Sequence, residues 1–499
     1  MKKYVSSNDI RPLGDMGART ALLFSRMTDS MYRPEAIFTS DVQGWPGDWE
    51  GRTILAQTLL SRVTGAEAPF LKANVEALAG AYNERGYLKG IMPEGEFDEQ
   101  QLSGHGWLLR GLCEYYLYSG DEKALDMAKV IVENLFMPTK GRFDTYPIKL
   151  EERVIGGEFA GNIAGVVRGW HISTDTGCAF IPMDGLSQVY ELTKDEKLGE
   201  LLSEMHDMFM TIDVVGSKVQ THATLSACRG ILRLHSVTGE AKYLESAKKI
   251  FDTYVNYGMT ANYANYNWFG RPEWTEPCAI IDSFIVAMRL YEYTGEAEYA
   301  EAARLIWANG VLRSQRANGG FGCDTCAGAG EDGDIIRVRT YEANWCCSMR
   351  GGEGLEKALR FAYMVEEDAI TALMPMSCEA AFEIGNGRVV LRQDAEKARD
   401  GRIVYNVVEN SVQKPVVLKV FMPGWTGSEE KYREYALPVA GEELVVEYCV
   451  PEYMDERRRM KGDYMLGVYE GSEKTEYISD AYLMTPQEIL EKKVKVLFD

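Results

Sequence analysis

Two cysteines stand side by side in YEANWCCSMRGG, the stretch from Tyr341 to Gly352, in a chain whose ten cysteines are otherwise thinly spread. Adjacent thiols close a disulfide only with local strain, so Cys346 and Cys347 are expected to be reduced. Upstream, in EWTEPCAIIDSF, Glu276 and Cys278 lie two residues apart at the mouth of a helix-like run. Three thiolates and a carboxylate complete the donor set of a tetrahedral zinc ion, which prefers sulfur and accepts one hard oxygen. Glu276, Cys278, Cys346 and Cys347 can supply that set. A rival stays open, because Cys323 and Cys326 in FGCDTCAG have the commoner C-x-x-C spacing and could act with Cys346 or Cys347.

The elements that must position these residues appear in a recurring phrase. An amphipathic run ends in a Thr/Ser-Gly-acidic turn and a second run follows, as in LCEYYLYSGDEKALDMAKVIVENL and MRLYEYTGEAEYAEAARLIW. Glycine closes the first helix in a left-handed cap, and the acidic residues suit the positive start of the second. The turns at Gly65, Gly120, Lys194, Gly239 and Gly295 lie 55, 74, 45 and 56 residues apart, and GEGLEKALRFAYMVEED supplies part of a sixth unit. Repeated hairpins with long connections predict a mainly α fold closed into a six-hairpin (α/α)6 barrel over residues 1–368. The connections, such as DVQGWPGDWEGR, TDTGCAFIPMDG and GMTANYANYNWFGRPEWTEPC, are rich in Trp, Tyr, Asn, Asp and Gly and suit a cup-shaped sugar site. Beyond Ile370, AAFEIGNGRVVLRQD, KPVVLKVFMPGW and GEELVVEYCVPEY alternate at strand spacing, predicting a β-sandwich over 369–499. Its ending, TPQEILEKKVKVLFD, reads equally as helix or strand.

Composition limits the partners. The chain has 499 residues, 46% of them hydrophobic, and a formal net charge of -21. Such acidity argues against tracking nucleic-acid phosphates and against binding a membrane surface through basic patches. The N-terminus lacks an apolar leader and no run of about 18 apolar residues occurs, so a cytoplasmic location and a substrate small enough to be imported are expected. The expected partner is a small carbohydrate, and a homodimer is allowed.

Several phrases in order resemble the β-L-arabinofuranosidase-like glycoside hydrolases, family 127 or the DUF1680 group. They are GDWEGR, LSGHGWLLRGLCEYYLYSGD, THATLSACRGILRLHSVTGE, TEPCA, NWCC and KGDYMLGVYEG. The resemblance implies a retaining cysteine glycosidase holding zinc through Glu276, Cys278, Cys346 and Cys347, with Cys346 as nucleophile. It also places His105 and His222 where family members contact substrate; Asp48, Trp49 and Asp175 in the mouth loops are expected to join them. The family's acid/base glutamate falls here at about Thr260, in YGMTANY, where no carboxylate stands. Glu273 is the expected substitute, with Asp48, Glu50, Asp175 and Asp184 as alternatives. A changed reaction on the same barrel (epimerase, isomerase or lyase) or a carbohydrate-binding protein with structural zinc are the competing readings. His171 is placed at the mouth, and His206 and His235 are expected to be structural.

Overall fold

The computed structural model describes residues 3–38, 44–153, 161, 163–327, 342–366, 368–456, 458–470 and 474–477. The terminal TPQEILEKKVKVLFD lies outside them. Among the described residues twelve helices reach nine residues or more. They are α1 (Gly14–Arg26), α2 (Asp48–Thr64), α3 (Leu71–Ala81), α4 (Glu99–Ser119), α5 (Glu122–Ile131), α6 (Met183–Thr193), α7 (Glu196–Phe209), α8 (Thr221–Thr238), α9 (Ala241–Tyr257), α10 (Pro277–Thr294), α11 (Ala297–Leu305) and α12 (Cys347–Phe361). The even-numbered helices touch in a closed ring from α2 round to α12 and back to α2, and each odd-numbered helix packs outside it. The ring of six hairpins expected from the repeats is therefore closed.

Burial separates the two layers. Inner α4 is buried at every position from Glu99 to Tyr115, whereas outer α9 buries one stripe of Tyr243, Ala247, Ile250, Phe251 and Tyr254. Inner helices also approach closely. A Cβ on Gly51 would fall 2.2 Å from the Leu108 nitrogen, so α2 and α4 pack backbone to backbone there. The hairpin turns are left-handed caps, with φ of 72° at Gly65, 72° at Gly120, 74° at Gly239 and 68° at Gly295. Lys194 holds the same conformation at φ 56°, a strained choice for a residue with a Cβ.

The barrel centre is charged. Arg110 of α4 meets Glu353 of α12 at 2.7 Å and Asp184 of α6 at 3.1 Å. Arg229 of α8 meets Asp184 at 2.9 Å, Asp282 of α10 at 2.6 Å and Glu353 at 2.5 Å. Arg350 of α12 pairs with both Asp282 and Glu353. Asp282 and Glu353 are wholly buried.

Two five-stranded sheets follow the barrel. One runs, in spatial order, Lys3–Tyr4, Tyr363–Val365, Ala369–Ala372, Val417–Phe421, Tyr432–Ala436; the other runs Glu443–Glu447, Arg402–Asn410, Gly387–Asp394, Cys378–Ile384, Ile10–Pro12. They face each other, with Tyr363 of the first packed edge-on against Phe382 of the second. The division expected at residue 368 does not separate helices from sheets, because Tyr363–Val365 already belongs to the first sheet and both sheets take a strand from the first twelve residues. A four-stranded sheet, Glu452–Asp455 to Lys474–Tyr477, reaches back to the barrel, where Arg458 Nε donates to the Ala261 carbonyl at 2.7 Å. Among the described residues no helix is long and apolar enough to cross a membrane.

Replacing Lys194 by glycine should relieve the strained cap and raise stability by about 1 kcal/mol, read as a higher urea midpoint. Glu353→Ala should lose about 3–5 kcal/mol, because three buried arginines then face one another without it. Neutralising Glu76, exposed beside Lys72, should leave the same midpoint unchanged.

Candidate active site

All six inner helices begin at one end of the barrel, and the chemistry-bearing residues collect there. Cys346 is the residue before α12 and Cys347 its first residue, while Glu276 precedes α10 and Cys278 is its second residue. Proline at the first position of α10 has no N–H to leave unsatisfied, which fixes the start of the helix and the spacing of Glu276 to Cys278. The Sγ atoms of Cys346 and Cys347 lie 3.4 Å apart and those of Cys278 and Cys347 3.7 Å apart. A tetrahedral ion with metal–sulfur bonds of about 2.3 Å needs sulfurs about 3.8 Å apart. Cys278, Cys346 and Cys347 offer ligand atoms within 4.8 Å of one another, and so do His222, Glu276 and Cys278. Glu276 Oε2 is buried without a partner, and burial among the thiols raises that carboxyl well above the usual range. A cation would relieve both conditions. The cluster can therefore hold a metal ion.

The thiols differ in acidity. Hydrogen bonds from Cys278 and Cys347 bring Cys346 down to about 6 against its burial, with Arg52 adding to the effect, while burial pushes Cys278 and Cys347 up. Cys346 also stands at the positive N-terminal end of α12 and is the least buried of the three. Among these sulfurs it is the one held most readily as a thiolate.

Around the thiols lies a shell in which His222 and Asp48 were expected from the sequence but Arg52, Trp107, Arg350 and Asp282 were not. Arg52 donates through Nη1 to Cys278 Sγ at 3.2 Å, places Nη2 3.3 Å from His222 Nε2, and pairs through Nε with Asp48 Oδ1 at 2.7 Å. Its guanidinium lies 4.2 Å from the centre of the Trp107 ring, on which Arg350 also rests at 4.4 Å and His222 stacks at 5.6 Å. His222 Nδ1 is 2.9 Å from Asp282 Oδ2, which fixes the ring and turns Nε2 toward the cluster. Burial pushes Asp282 up, but Arg350 and Arg229 outweigh it and hold the carboxylate well below its usual range. One signal was present: an aspartate inside the apolar run CAIIDSFIVAM needs a buried partner.

Other expected site residues fare differently. His105 is wholly buried, its Nε2 accepting from the Leu88 N–H at 2.9 Å and its Nδ1 2.7 Å from the Gln101 carbonyl oxygen. Burial lowers it to about 4, so it is a neutral strut between α4 and the preceding loop. Glu273 is committed to Arg271, whose Nε and Nη2 both donate to Oε1, at 2.8 and 2.5 Å. That pairing ties one of its oxygens to a cation in the same loop, while Oε2 is buried without a partner. Asp184 belongs to the barrel network, Glu50 caps the Gly47 N–H at 3.0 Å, and Trp49 is half-buried at the start of α2. Thr260 Oγ1 donates to Asn262 at 2.7 Å. Asp175 is buried, accepts from Trp268 Nε1 at 3.1 Å, and lies near enough to Glu276 to raise its carboxyl.

His171 Nε2 faces Glu96 at 2.7 Å; His206 sits between Asp207 and Ser246, and His235 points Nδ1 to the Glu240 carbonyl. The C-x-x-C pair does not converge. Cys326 Sγ turns to the Asn265 carbonyl at 3.6 Å, while Cys323 leans toward Cys347. Neither belongs to the two donor groups found among the described residues. Cys326→Ser should therefore leave the metal content unchanged by elemental analysis, and Cys278→Ser should abolish it.

No protein-family model and no curated protein sequence matches the chain. Solved structures do. A family 127 β-arabinofuranosidase superposes with a TM-score of 0.67 at 15% identity, covering 93% of this chain and 85% of that one. A protein described as a glycoside hydrolase gives 0.67 at 13% identity over 93% and 83%. A family 127 β-L-arabinofuranosidase from Geobacillus stearothermophilus T6 gives 0.61 at 14% identity over 89% and 80%. At these identities the likeness is one of fold, a six-hairpin glycosidase-type barrel followed by β-sheets.

Proposed function

We propose that the protein is a retaining glycoside hydrolase that releases an arabinofuranose-like sugar from a small glycoside, with Cys346 as the nucleophile. The observation that carries this reading is the meeting of Cys278, Cys346 and Cys347 within 4.8 Å at the open ends of two inner helices, with Glu276 in the overlapping group. Sulfur-rich donors with one carboxylate favour zinc, held by Glu276, Cys278, Cys346 and Cys347. Bound there, zinc would supply the positive charge that keeps the sulfurs deprotonated at neutral pH.

The chain's own residues do the rest. Cys346 Sγ attacks the anomeric carbon, aided by its helix N-terminus and by the nearby Arg52 guanidinium. His222, held by Asp282 and stacked on Trp107, presents a ring of fixed orientation to the sugar hydroxyls. Asp48, tied to Arg52, keeps that guanidinium turned toward Cys278. Two other expectations, a cytoplasmic location and a partner that is a small carbohydrate, belong to this same proposal.

Mass spectrometry with a slow fluorinated β-L-arabinofuranoside should find the sugar attached to Cys346. Cys346→Ala should lose turnover by at least about 10³-fold, as other covalent catalysts do without their nucleophile. Cys347→Ala should instead regain part of its activity as zinc is added, because it has lost a ligand rather than the attacking atom. A label on another residue, or equal rescue of both variants, would show that the roles are not divided this way.

A further inference from the structure

Breaking a glycosidic bond requires a proton for the departing oxygen, and a thiolate cannot provide it. Building on the glycosidase reading, we propose that Asp175 is the general acid and base, positioned by Trp268 and by the start of α8.

The carboxylates around it are occupied by cations or caps. Glu99 is held by Arg153 at 2.8 and 3.1 Å and accepts from the Ser173 N–H at 2.7 Å. Asp48 pairs with Arg52, Glu273 with Arg271, Asp282 with Arg229 and Arg350, and Glu50 caps Gly47. Burial raises Asp48 and takes Glu50 to about 7 as well, but Asp48 is held at the Arg52 guanidinium and Glu50 at the cap of α2. Asp175 instead accepts at Oδ1 from a neutral indole, that of Trp268. Three segments place it. The Thr176 carbonyl next in sequence takes the Gln220 N–H at 3.0 Å, just before α8 and His222. Trp268 bridges Gln220 and packs edge-on against Trp274 at 4.8 Å, two residues before Glu276. The carboxyl is thereby set beside the metal-ligand end of α10.

Its surroundings suit proton exchange. Burial raises Asp175 to about 7, the Trp268 bond opposes this, Glu99 adds to it, and Arg271 and Arg153 act against it. Glu276 is a further titratable neighbour, its own carboxyl raised well above the usual range. In the first half-reaction Cys346 Sγ bonds to the anomeric carbon as the carbon–oxygen bond breaks; the electron pair stays on the leaving oxygen, which takes the Asp175 proton. In the second, the Asp175 carboxylate takes a proton from water, the water oxygen bonds to the anomeric carbon, and the pair of the broken carbon–sulfur bond returns to Sγ.

The test compares methyl and 4-nitrophenyl β-L-arabinofuranosides, whose leaving groups differ in their need for a proton. Asp175→Asn should lower kcat/KM for the methyl glycoside by about 10²–10⁴-fold and for the nitrophenyl glycoside far less. Azide should restore turnover of Asp175→Gly and yield the glycosyl azide. The wild-type fall in kcat/KM above about pH 7 should vanish in Asp175→Asn and move to higher pH in Trp268→Phe, where the carboxylate loses its donor. Independently of any substrate, the Trp268 indole ¹⁵N signal should titrate near pH 7 in the wild type only. Equal losses on both glycosides without azide product, or a Trp268 signal flat between about pH 6 and 8, overturn the assignment while leaving Cys346 in place. A wild type inert toward both glycosides sinks the glycosidase reading, and the acid role with it.

Discussion

Charge buried in the middle of a barrel is tolerable only where each group meets its opposite, and this pairing orders the six inner helices. Removing an arginine or a carboxylate from water costs several kcal/mol, which only close, multiply bonded partners offset. Asp282 collects donors from His222, Ser226 and Arg229 on α8 and from Arg350 on α12. Glu353 does the same for Arg110, Arg229 and Arg350. Helices that slide or rotate would break several of these bonds together. The network also reaches the thiols, since Arg350 and Arg52 share the Trp107 ring and Arg52 ends on Cys278.

Above that network the inner helices present their N-terminal ends to one mouth. Each end carries partial positive charge from unpaired N–H groups, which favours thiolates and carboxylates over their protonated forms. Cys346 caps one such helix, Cys347 begins it and Cys278 is the second residue of another, and on Cys278 and Cys346 the neighbouring Arg52 adds to the field. Burial acts against both, and the balance differs between neighbours: it leaves Cys346 acidic and Cys347 not. Two adjacent residues can therefore hold different tasks.

What could be read from the sequence was what depends on local pattern. Glycine at the hairpin turns, the apolar periodicity and the paired cysteines each carry their meaning within a few residues, and the turns, the ring and the cluster follow from them. Lys194 kept its place in the pattern although the side chain is wrong for the cap, because the flanking helices decide the turn. Partners far apart in sequence were not legible. Nothing near His105 announces that Leu88 and Gln101 satisfy both of its nitrogens, so a buried strut resembles a binding residue. Glu273 looked available until Arg271, two residues away, proved to hold it. Arg52 and Asp282 were visible as charged residues in unusual settings, but their joint grip on His222 exists only once α2, α8 and α10 are side by side. Asp175 was visible as a mouth-loop aspartate; its neutral indole partner was not.

The strands at the start of the chain have a consequence for how the protein is made. Lys3 and Tyr4 pair with Val365 and Met364, and Ile10 pairs with Ala380, so these strands find their partners only in chain made 360 or more residues later. At roughly 5–20 residues per second, a ribosome needs about 20–70 s to deliver residue 365 after residue 4. For that interval α1 and α2 have no α12 to close against, and the charged faces of the inner helices stay open to water. The hairpins can form in turn as they emerge, but the ring itself cannot close until α12 has been made. A nascent chain stalled before α12 would hold Glu276 and Cys278 without the other two thiols, so any metal captured early would have to be handed from a partial set of donors to the full one.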